Sequence, residues 1–287
     1  MPEIAAPRLF GTDGMRGAFG APPLDRETVT ALATALAAAL RARTSSPRVV
    51  LGGDTRESTP EICRWLAAGL AEGGVGVAYA GVVPTPGIAH LVRSTGASSG
   101  IAVSASHNPY PDNGVKLLDP QGRKWSDAEE QALEERIATL LAQGSQAAPP
   151  AVALHEDAGL RQEYLDHLAA TVSAGRAGRP LSGLRVVLDA GNGAAATYAE
   201  PLFSRLGAET TLLNAAPDGR NVNAGSGSTA PAGMAAQVLA RGADLGAAFD
   251  GDADRAILAD ESGAVRDGDA LLYLWATHLT RQGELTP

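Results

Sequence analysis

Ala97-Ser-Ser-Gly-Ile-Ala-Val-Ser-Ala-Ser106 and Ala243-Asp-Leu-Gly-Ala-Ala-Phe-Asp-Gly-Asp252 align without a gap. Each is a short run of small and apolar residues ending in polar ones, the pattern of a buried strand running into a loop. Each is followed by a second short strand and a turn, Pro120-Gln-Gly122 in one case and Glu261-Ser-Gly263 in the other. A further pair, Arg48-Val-Val-Leu-Gly-Gly-Asp54 and Arg185-Val-Val-Leu-Asp-Ala-Gly191, repeats the pattern. Two readings are open: chance similarity between buried strands, or one α/β unit present twice. Duplication would put Ser106 and Asp252 at equivalent loop tips, and two such tips facing across a cleft would make a site.

Working outward, the spacing predicts alternating elements. Glu27 to Arg43 is Ala/Leu-rich and reads as a helix. Arg48 to Asp54 reads as a strand, Thr59 to Ala71 as a helix with Pro60 in its first turn, and Val75 to Gly81 as a strand. Pro86 to Arg93 is helical, and Gly100 to Ser104 is a strand. Asn113-Gly114 signals a hairpin, with Val115 to Leu118 as the returning strand. Ser126 caps a helix to about Gln143, with Glu129 completing a capping box. Gly144 to Pro150 reads as a linker. An amphipathic helix then opens at about Asp157. Strands follow at Leu184–Leu188, Glu209–Leu213, Asp244–Phe249 and Arg255–Ala259, with helices near Ala194–Leu206 and Pro231–Ala240. Strands alternating with helices give parallel α/β layers with helix-covered faces; the fold expected is α/β, with two similar three-layer α/β/α domains with mixed sheets and the start of a third.

The 287 residues suit two domains better than one. With 23 Lys+Arg against 32 Asp+Glu the net charge is −9, which argues against a nucleic-acid binder relying on a basic face. Cys63 is alone, so neither a disulfide framework nor a cysteine zinc site is expected. No apolar run approaches the roughly 20 residues of a membrane span, and the N-terminus lacks the apolar core of a signal peptide. A cytoplasmic protein is the expectation. Only Lys116 and Lys124 are lysines; every other basic residue is arginine. The blander cause is a GC-rich genome.

Three stretches could carry chemistry. Asp250-Gly-Asp-Ala-Asp254-Arg255 sets three carboxylates within five residues. Converging carboxylates repel unless a cation lies among them, and hard oxygen ligands favour Mg²⁺ or Ca²⁺. An EF-hand loop is excluded at its sixth position, where Arg255 replaces the required glycine, and by flanking runs that read as strands. Ser104-Ala-Ser-His-Asn-Pro109 ends another buried strand without a nucleophile elbow. A phosphoserine at 106 would offer oxygens to a metal held by the aspartates. The excess negative charge would then need basic neighbours, for which Arg255, Arg16 and Lys116 are candidates. Lys116 can lose a proton when desolvated, as arginine cannot, so it is a plausible general acid/base; a plain surface lysine is the other reading. Phe10-Gly-Thr-Asp-Gly-Met-Arg16-Gly suits close backbone approach to an anion.

Together these motifs resemble the α-D-phosphohexomutase superfamily, and within it the bacterial phosphoglucosamine mutases. Besides the stretches quoted, the likeness is carried by Gly53-Asp-Thr-Arg56, Pro84-Thr-Pro86, Asp112-Asn-Gly-Val-Lys116, Pro217-Asp-Gly219, Asn221-Val-Asn223 and Gly227-Ser-Thr229. It covers essentially the whole chain. The resemblance implies that Ser106, directly before His107-Asn-Pro109, is phosphorylated. It implies one Mg²⁺ held by Asp250, Asp252 and Asp254 with the phosphoserine. It further implies catalytic roles for His107, Lys116 and Arg16, with phosphate or substrate contacts from Thr12 and Arg255.

The implied reaction interconverts glucosamine 6-phosphate and glucosamine 1-phosphate through a 1,6-bisphosphate intermediate, towards UDP-N-acetylglucosamine and cell wall. Phosphomannomutase/phosphoglucomutase activity, or an inactive metal-binding fragment, are the alternatives. The implied partner is a phosphosugar, with no nucleic acid and no membrane; the oligomeric state is open. Two departures stand out. Gly53 occupies a position that is often basic in the family. Members also have four domains, against which this sequence reads as domain I over 1–150, domain II over 151–262 and the start of a third over 263–287. The sugar-recognition and distal phosphate loops of such enzymes have no match, so this chain alone is expected to be inactive.

Overall fold

The computed structural model describes residues 8–144, 152–174 and 178–285. Of the predicted linker only Gly144 lies within them.

The N-terminal residues form a small hairpin, β1 (Phe10–Gly11) and β2 (Gly14–Ala18), where the sequence suggested only a glycine-rich loop. Helix α1 (Arg26–Arg41) starts at Asp25, whose carboxylate accepts the Thr28 N–H at 2.9 Å and so satisfies an orphan donor of the first turn. Then come β3 (Arg48–Gly53), α2 (Thr59–Glu72), β4 (Gly76–Val82), α3 (Thr85–Thr95), β5 (Ser99–Val103), β6 (Asp112–Leu118) and α4 (Asp127–Ala142). The capping box expected at the start of α4 is present, with Ser126 and Glu129 each bonded to the other's backbone N–H.

The first sheet runs β1-β2-β6-β5-β3-β4, with β3 parallel to β4 and β5, and β6 antiparallel to β5. Its strands are apolar on both faces, as a helix-covered sheet requires. Val49, Leu51, Ile101, Val103, Val115 and Leu117 pack into one cluster with residues of α1, α2 and α4. Val50, Ala102 and Leu118 face the opposite way, onto α3. Each Val or Leu so buried is worth about 1.5–3 kcal/mol relative to exposure.

The second unit opens with α5 (Ala158–Ser173), whose Leu160 and Tyr164 join the cluster around α3. This helix therefore packs on the first unit as well as on its own. After it come β7 (Arg185–Asp189), a 3₁₀ turn at Ala194–Thr197, α6 (Ala199–Leu206), β8 (Glu209–Leu213), α7 (Ala232–Arg241), β9 (Leu245–Phe249), β10 (Ala256–Asp260), β11 (Val265–Arg266) and α8 (Gly268–Gln282). The sheet order is β11-β10-β9-β7-β8. Strands β10-β9-β7-β8 repeat the order and direction of β6-β5-β3-β4. The ungapped alignment carries Ser99–Val103 onto Leu245–Phe249, so both copies of that stretch form the same strand. The two units thus share one topology, as the duplication reading expects.

Two expectations need correction. Asn113-Gly114 is not a hairpin turn: both residues lie within β6, and the β5–β6 connection is the segment from Ser104 to Pro111. Asn113 is buried against the Ser58 hydroxyl, and a Cβ on Gly114 would lie 2.4 Å from the Ser104 carbonyl oxygen. Close packing, not turn chemistry, explains the pair. The helix expected from Ala194 to Leu206 is interrupted at Tyr198. Val265–Arg266 forms β11, paired antiparallel with β10 at the edge of the second sheet. Helix α8 follows with no buried residue.

Candidate active site

The sheet order reverses between β3 and β5 and between β7 and β9. Loops leaving the carboxyl ends of β5 and β9 therefore open into crevices where such folds bind ligands. The segment after β5 carries Ser106 and the segment after β9 carries Asp250, Asp252 and Asp254, and the two meet. Ser106 Oγ donates to Asp250 Oδ2 at 2.6 Å. Arg255 Nη2 donates to Ser106 Oγ at 2.5 Å and to His107 Nδ1 at 2.6 Å. Since guanidinium only donates, His107 Nδ1 is the acceptor, so the ring is the neutral tautomer with its proton on Nε2. Burial, reinforced by the charges of Arg255 and Arg16, holds the His107 pKa below its ordinary value.

The three aspartates each offer an oxygen within 4.8 Å of the others. Asp250 and Asp252 are buried, and Asp254 is exposed. Burial, with the neighbouring charge of Asp252, pushes Asp250 up to about 6. Asp252 Oδ1 is buried with no hydrogen-bond partner among the described residues. An orphaned carboxylate oxygen beside two more carboxylates is what an oxygen-loving divalent cation would satisfy, so the residues fit such an ion.

Lys116, on β6, is buried, which removes the surface-lysine reading. The period of the strand turns it to the α3 face, away from Val115 and Leu117. Its Nζ lies 2.9 Å from Asp13, 3.0 Å from Asp252 and 3.4 Å from Asp254. Burial alone would lower its pKa, but attraction to Asp252 and the hydrogen bond and charge of Asp13 outweigh it, and the value rises above that of ordinary lysine. Desolvation was the sequence argument for easy proton loss; the carboxylate cage reverses it, and Lys116 stands as the ammonium.

Arg16 on β2 pairs with Asp13 at 2.9 Å and reaches the Ala105 carbonyl at 3.4 Å, on the residue before the serine. Thr12 is exposed on the β1–β2 turn and lines a shallow cleft with Arg8, Asp13 and Arg16. No contact joins Thr12 to the serine or the aspartates among the described residues.

Other residues of the site stood in quoted motifs without an assigned role. Thr85 donates its hydroxyl to Asp252 Oδ2 at 2.7 Å and its N–H to the Asp252 carbonyl at 3.0 Å, docking the start of α3 on the aspartate loop. Asp13 joins Lys116 to Arg16. Ser104 Oγ accepts the Ser106 N–H at 2.9 Å and donates to buried Asp54 at 2.6 Å, so it braces Ser106 and does not face the carboxylates. Gly53 also changes meaning. A Cβ there would lie 2.3 Å from the Val103 carbonyl oxygen and 2.7 Å from Thr59, so this backbone has no room for a basic side chain.

Comparison with known proteins agrees with this layout. The family described as phosphoglucomutase/phosphomannomutase matches twice, through its alpha/beta/alpha domain I at residues 7–143 and its domain II at residues 162–263. Phosphoglucosamine mutase of Solibacter usitatus is 42% identical over 96% of this chain and 60% of its own. That of Koribacter versatilis is 44% identical over 97% of this chain and 60% of its own. The crystal structure of a phosphoglucomutase/phosphomannomutase family protein from Burkholderia thailandensis superposes with a TM-score of 0.78 at 28% identity, over 96% of this chain and 59% of that one. The chain thus spans about 60% of the length of these relatives. It belongs to the phosphoglucomutase/phosphomannomutase family and carries that family's α/β/α domains I and II.

Proposed function

We propose that this chain supplies the phosphoserine and the metal site of a phosphoglucosamine mutase, which interconverts glucosamine 6-phosphate and glucosamine 1-phosphate. The observation that carries the reading is the hydrogen bond from Ser106 Oγ to Asp250, within an acidic triad whose Asp252 Oδ1 has no partner among the described residues. The preference for glucosamine over mannose or glucose rests on the 42–44% identity to curated phosphoglucosamine mutases.

In this reading the first unit, to about residue 150, presents Ser106, and the second, to about residue 262, presents the metal ligands. Phosphoserine 106 gives its phosphoryl group to the sugar O1: the Oγ–P bond breaks, a P–O1 bond forms, Lys116 protonates the departing Oγ, and the O1 proton passes to the amine so left. The resulting 1,6-bisphosphate turns round and returns its other phosphoryl group to Ser106. Asp250, Asp252 and Asp254 would hold Mg²⁺, which when bound offsets the charge of the transferring group. Arg255 hydrogen-bonds the acceptor oxygen and would steady its phosphate. Lys116, held as the ammonium, serves first as a proton donor and becomes a base only after giving that proton up. His107, tied to Arg255, orients that guanidinium; Arg16 and Thr12 line the approach. Sugar recognition and turnover would need residues beyond those of this chain, because remote binding energy positions the reacting centre.

The test is phosphopeptide mapping after incubating the chain with glucosamine 1,6-bisphosphate and Mg²⁺. Phosphate is expected on Ser106, retained in Ser104→Ala and absent from Ser106→Ala. Phosphate on Ser104 in place of Ser106 would overturn the assignment.

A further inference from the structure

We propose that Arg56 is a positioning residue for the phosphoryl-accepting serine, assisted across the domain boundary by Asn223. The proposal rests on the phosphoserine reading above and adds to it the device that holds the serine in place.

The Arg56 side chain is wholly buried, in contact with an equally buried Asp54. Burying a guanidinium is tolerated only when it is paired and its N–H groups are used. An arginine kept for its ion pair would present two parallel N–H groups to the carboxylate. Arg56 gives Asp54 one side-chain N–H, from Nε at 2.9 Å. Its remaining bonds go to one short stretch of backbone. Nη1 donates to the Pro109 carbonyl at 3.0 Å, and Nη2 donates to the carbonyls of Ser106 and Asn108, each at 3.0 Å.

That stretch needs such a partner. Three carbonyl oxygens within four residues converge on one point, where their dipoles repel unless a cation lies among them. Ser106 also has φ 54°, a left-handed conformation in which a Cβ crowds the following carbonyl oxygen.

Both peptide groups flanking the serine are tied to the same buried pair. The Ser106 N–H reaches Asp54 through the Ser104 hydroxyl, and the Ser106 carbonyl reaches Arg56 directly. The hydroxyl can then turn about χ1, but its Cβ cannot wander.

Asn223 makes the matching contact from the second unit. Its Nδ2 donates to the Ser106 carbonyl at 2.9 Å and to the Asn108 carbonyl at 3.2 Å. Gly251, between two of the aspartates, packs so closely that a Cβ there would lie 2.6 Å from the same Ser106 oxygen. The Ser106 carbonyl thus accepts one bond from each unit, and this junction fixes the serine relative to the carboxylates. Lysine at position 56 would keep the charge but lose the planar fork, leaving carbonyls unpaired.

The experiment compares the 287-residue chain with Arg56→Lys and Asn223→Ala, by two measurements. The first is hydrogen–deuterium exchange over residues 104–112. Arg56→Lys is expected to speed exchange there by roughly tenfold, the effect of losing about 1.4 kcal/mol of local protection, with β7 and β9 unchanged. The second is Mg²⁺ calorimetry with and without phosphoserine installed at 106 by codon reassignment. Wild type should gain affinity on phosphorylation. Arg56→Lys should lose most of that gain while its unphosphorylated form binds Mg²⁺ as wild type does. General destabilisation would not split the two affinities in that way.

Asn223→Ala should move both readouts in the same direction by less, and it carries the test if Arg56→Lys does not fold. Unchanged local exchange, exchange raised equally throughout the chain, or a full phosphorylation gain in both variants would overturn the proposal. A wild-type chain with no gain would instead overturn the phosphoserine reading, and local exchange would then decide whether the clamp exists.

Discussion

At the scale of single residues, Lys116 shows most plainly how packing sets chemistry. Its ammonium lies between Asp13, Asp252 and Asp254, two of which are candidate metal ligands. A cation entering the triad meets a like charge already bonded to Asp252. Lys116→Met should therefore bind Mg²⁺ at least severalfold more tightly than wild type by calorimetry, while phosphorylation at Ser106 is lost. Weaker Mg²⁺ binding would mean that Lys116 organises the carboxylates rather than competing for them. Gly53 makes the complementary point about space. Gly53→Ala should lower stability by about 1–3 kcal/mol in urea denaturation, because the Val103 carbonyl and Thr59 must give way. If it were neutral, the strand would have more freedom than its contacts imply.

At the scale of elements, the contact between α3 and α5 contains a pH-sensitive histidine, His90. His90 and His167 stack with ring centroids 3.8 Å apart, with Glu163 Oε1 4.0 Å from His90 Nε2. Burial and the facing His167 hold His90 below its ordinary value, against the opposing charge of Glu163 and with a small further push from Arg93. A base whose folded pKa is depressed is harder to protonate folded than unfolded. Stability is thus unaffected above the unfolded value of about 6.5 and is lost as pH falls below it towards the lower folded value. The fall in melting temperature between pH 7.5 and 5.5 should be smaller in His90→Gln than in wild type. Equal falls in both proteins would show that His90 contributes nothing to the pH profile.

At the scale of the whole molecule, α8 is the element with least to pack on. Leu272, Tyr273, Leu274 and Trp275 are each 61–72% exposed, and Leu272 and Trp275 share a face by their spacing. Contiguous exposed apolar side chains favour association. The chain should self-associate with rising concentration in sedimentation velocity, and Leu272→Ser with Trp275→Ser should suppress this without changing the melting temperature of the two sheets. Association that persists in the double variant would place the contact elsewhere. The described residues contain no helix long and apolar enough to cross a membrane, so α8 is not a span.

The sequence by itself determined the α/β class and singled out the two stretches, Ser104 to Pro109 and Asp250 to Arg255, that the fold brings together. Those properties follow from local pattern. Strand period and turn residues are written in neighbouring positions, and the Asp250 to Arg255 and Ser104 to Pro109 stretches carry their chemistry in unbroken runs. Even so, local reading placed a turn at Asn113-Gly114, inside β6, because a small residue needed for close packing looks the same as one needed for a turn. Tertiary structure alone decided the charge state of Lys116, which depends on Asp13 and Asp252, 103 and 136 residues away along the chain. It gave Ser104 and Ser106 different partners, turning one hydroxyl to Asp54 and the other to Asp250. It also set Arg56 beneath the serine loop. Burial and distance fix these properties, and both arise only when segments far apart in sequence are brought together.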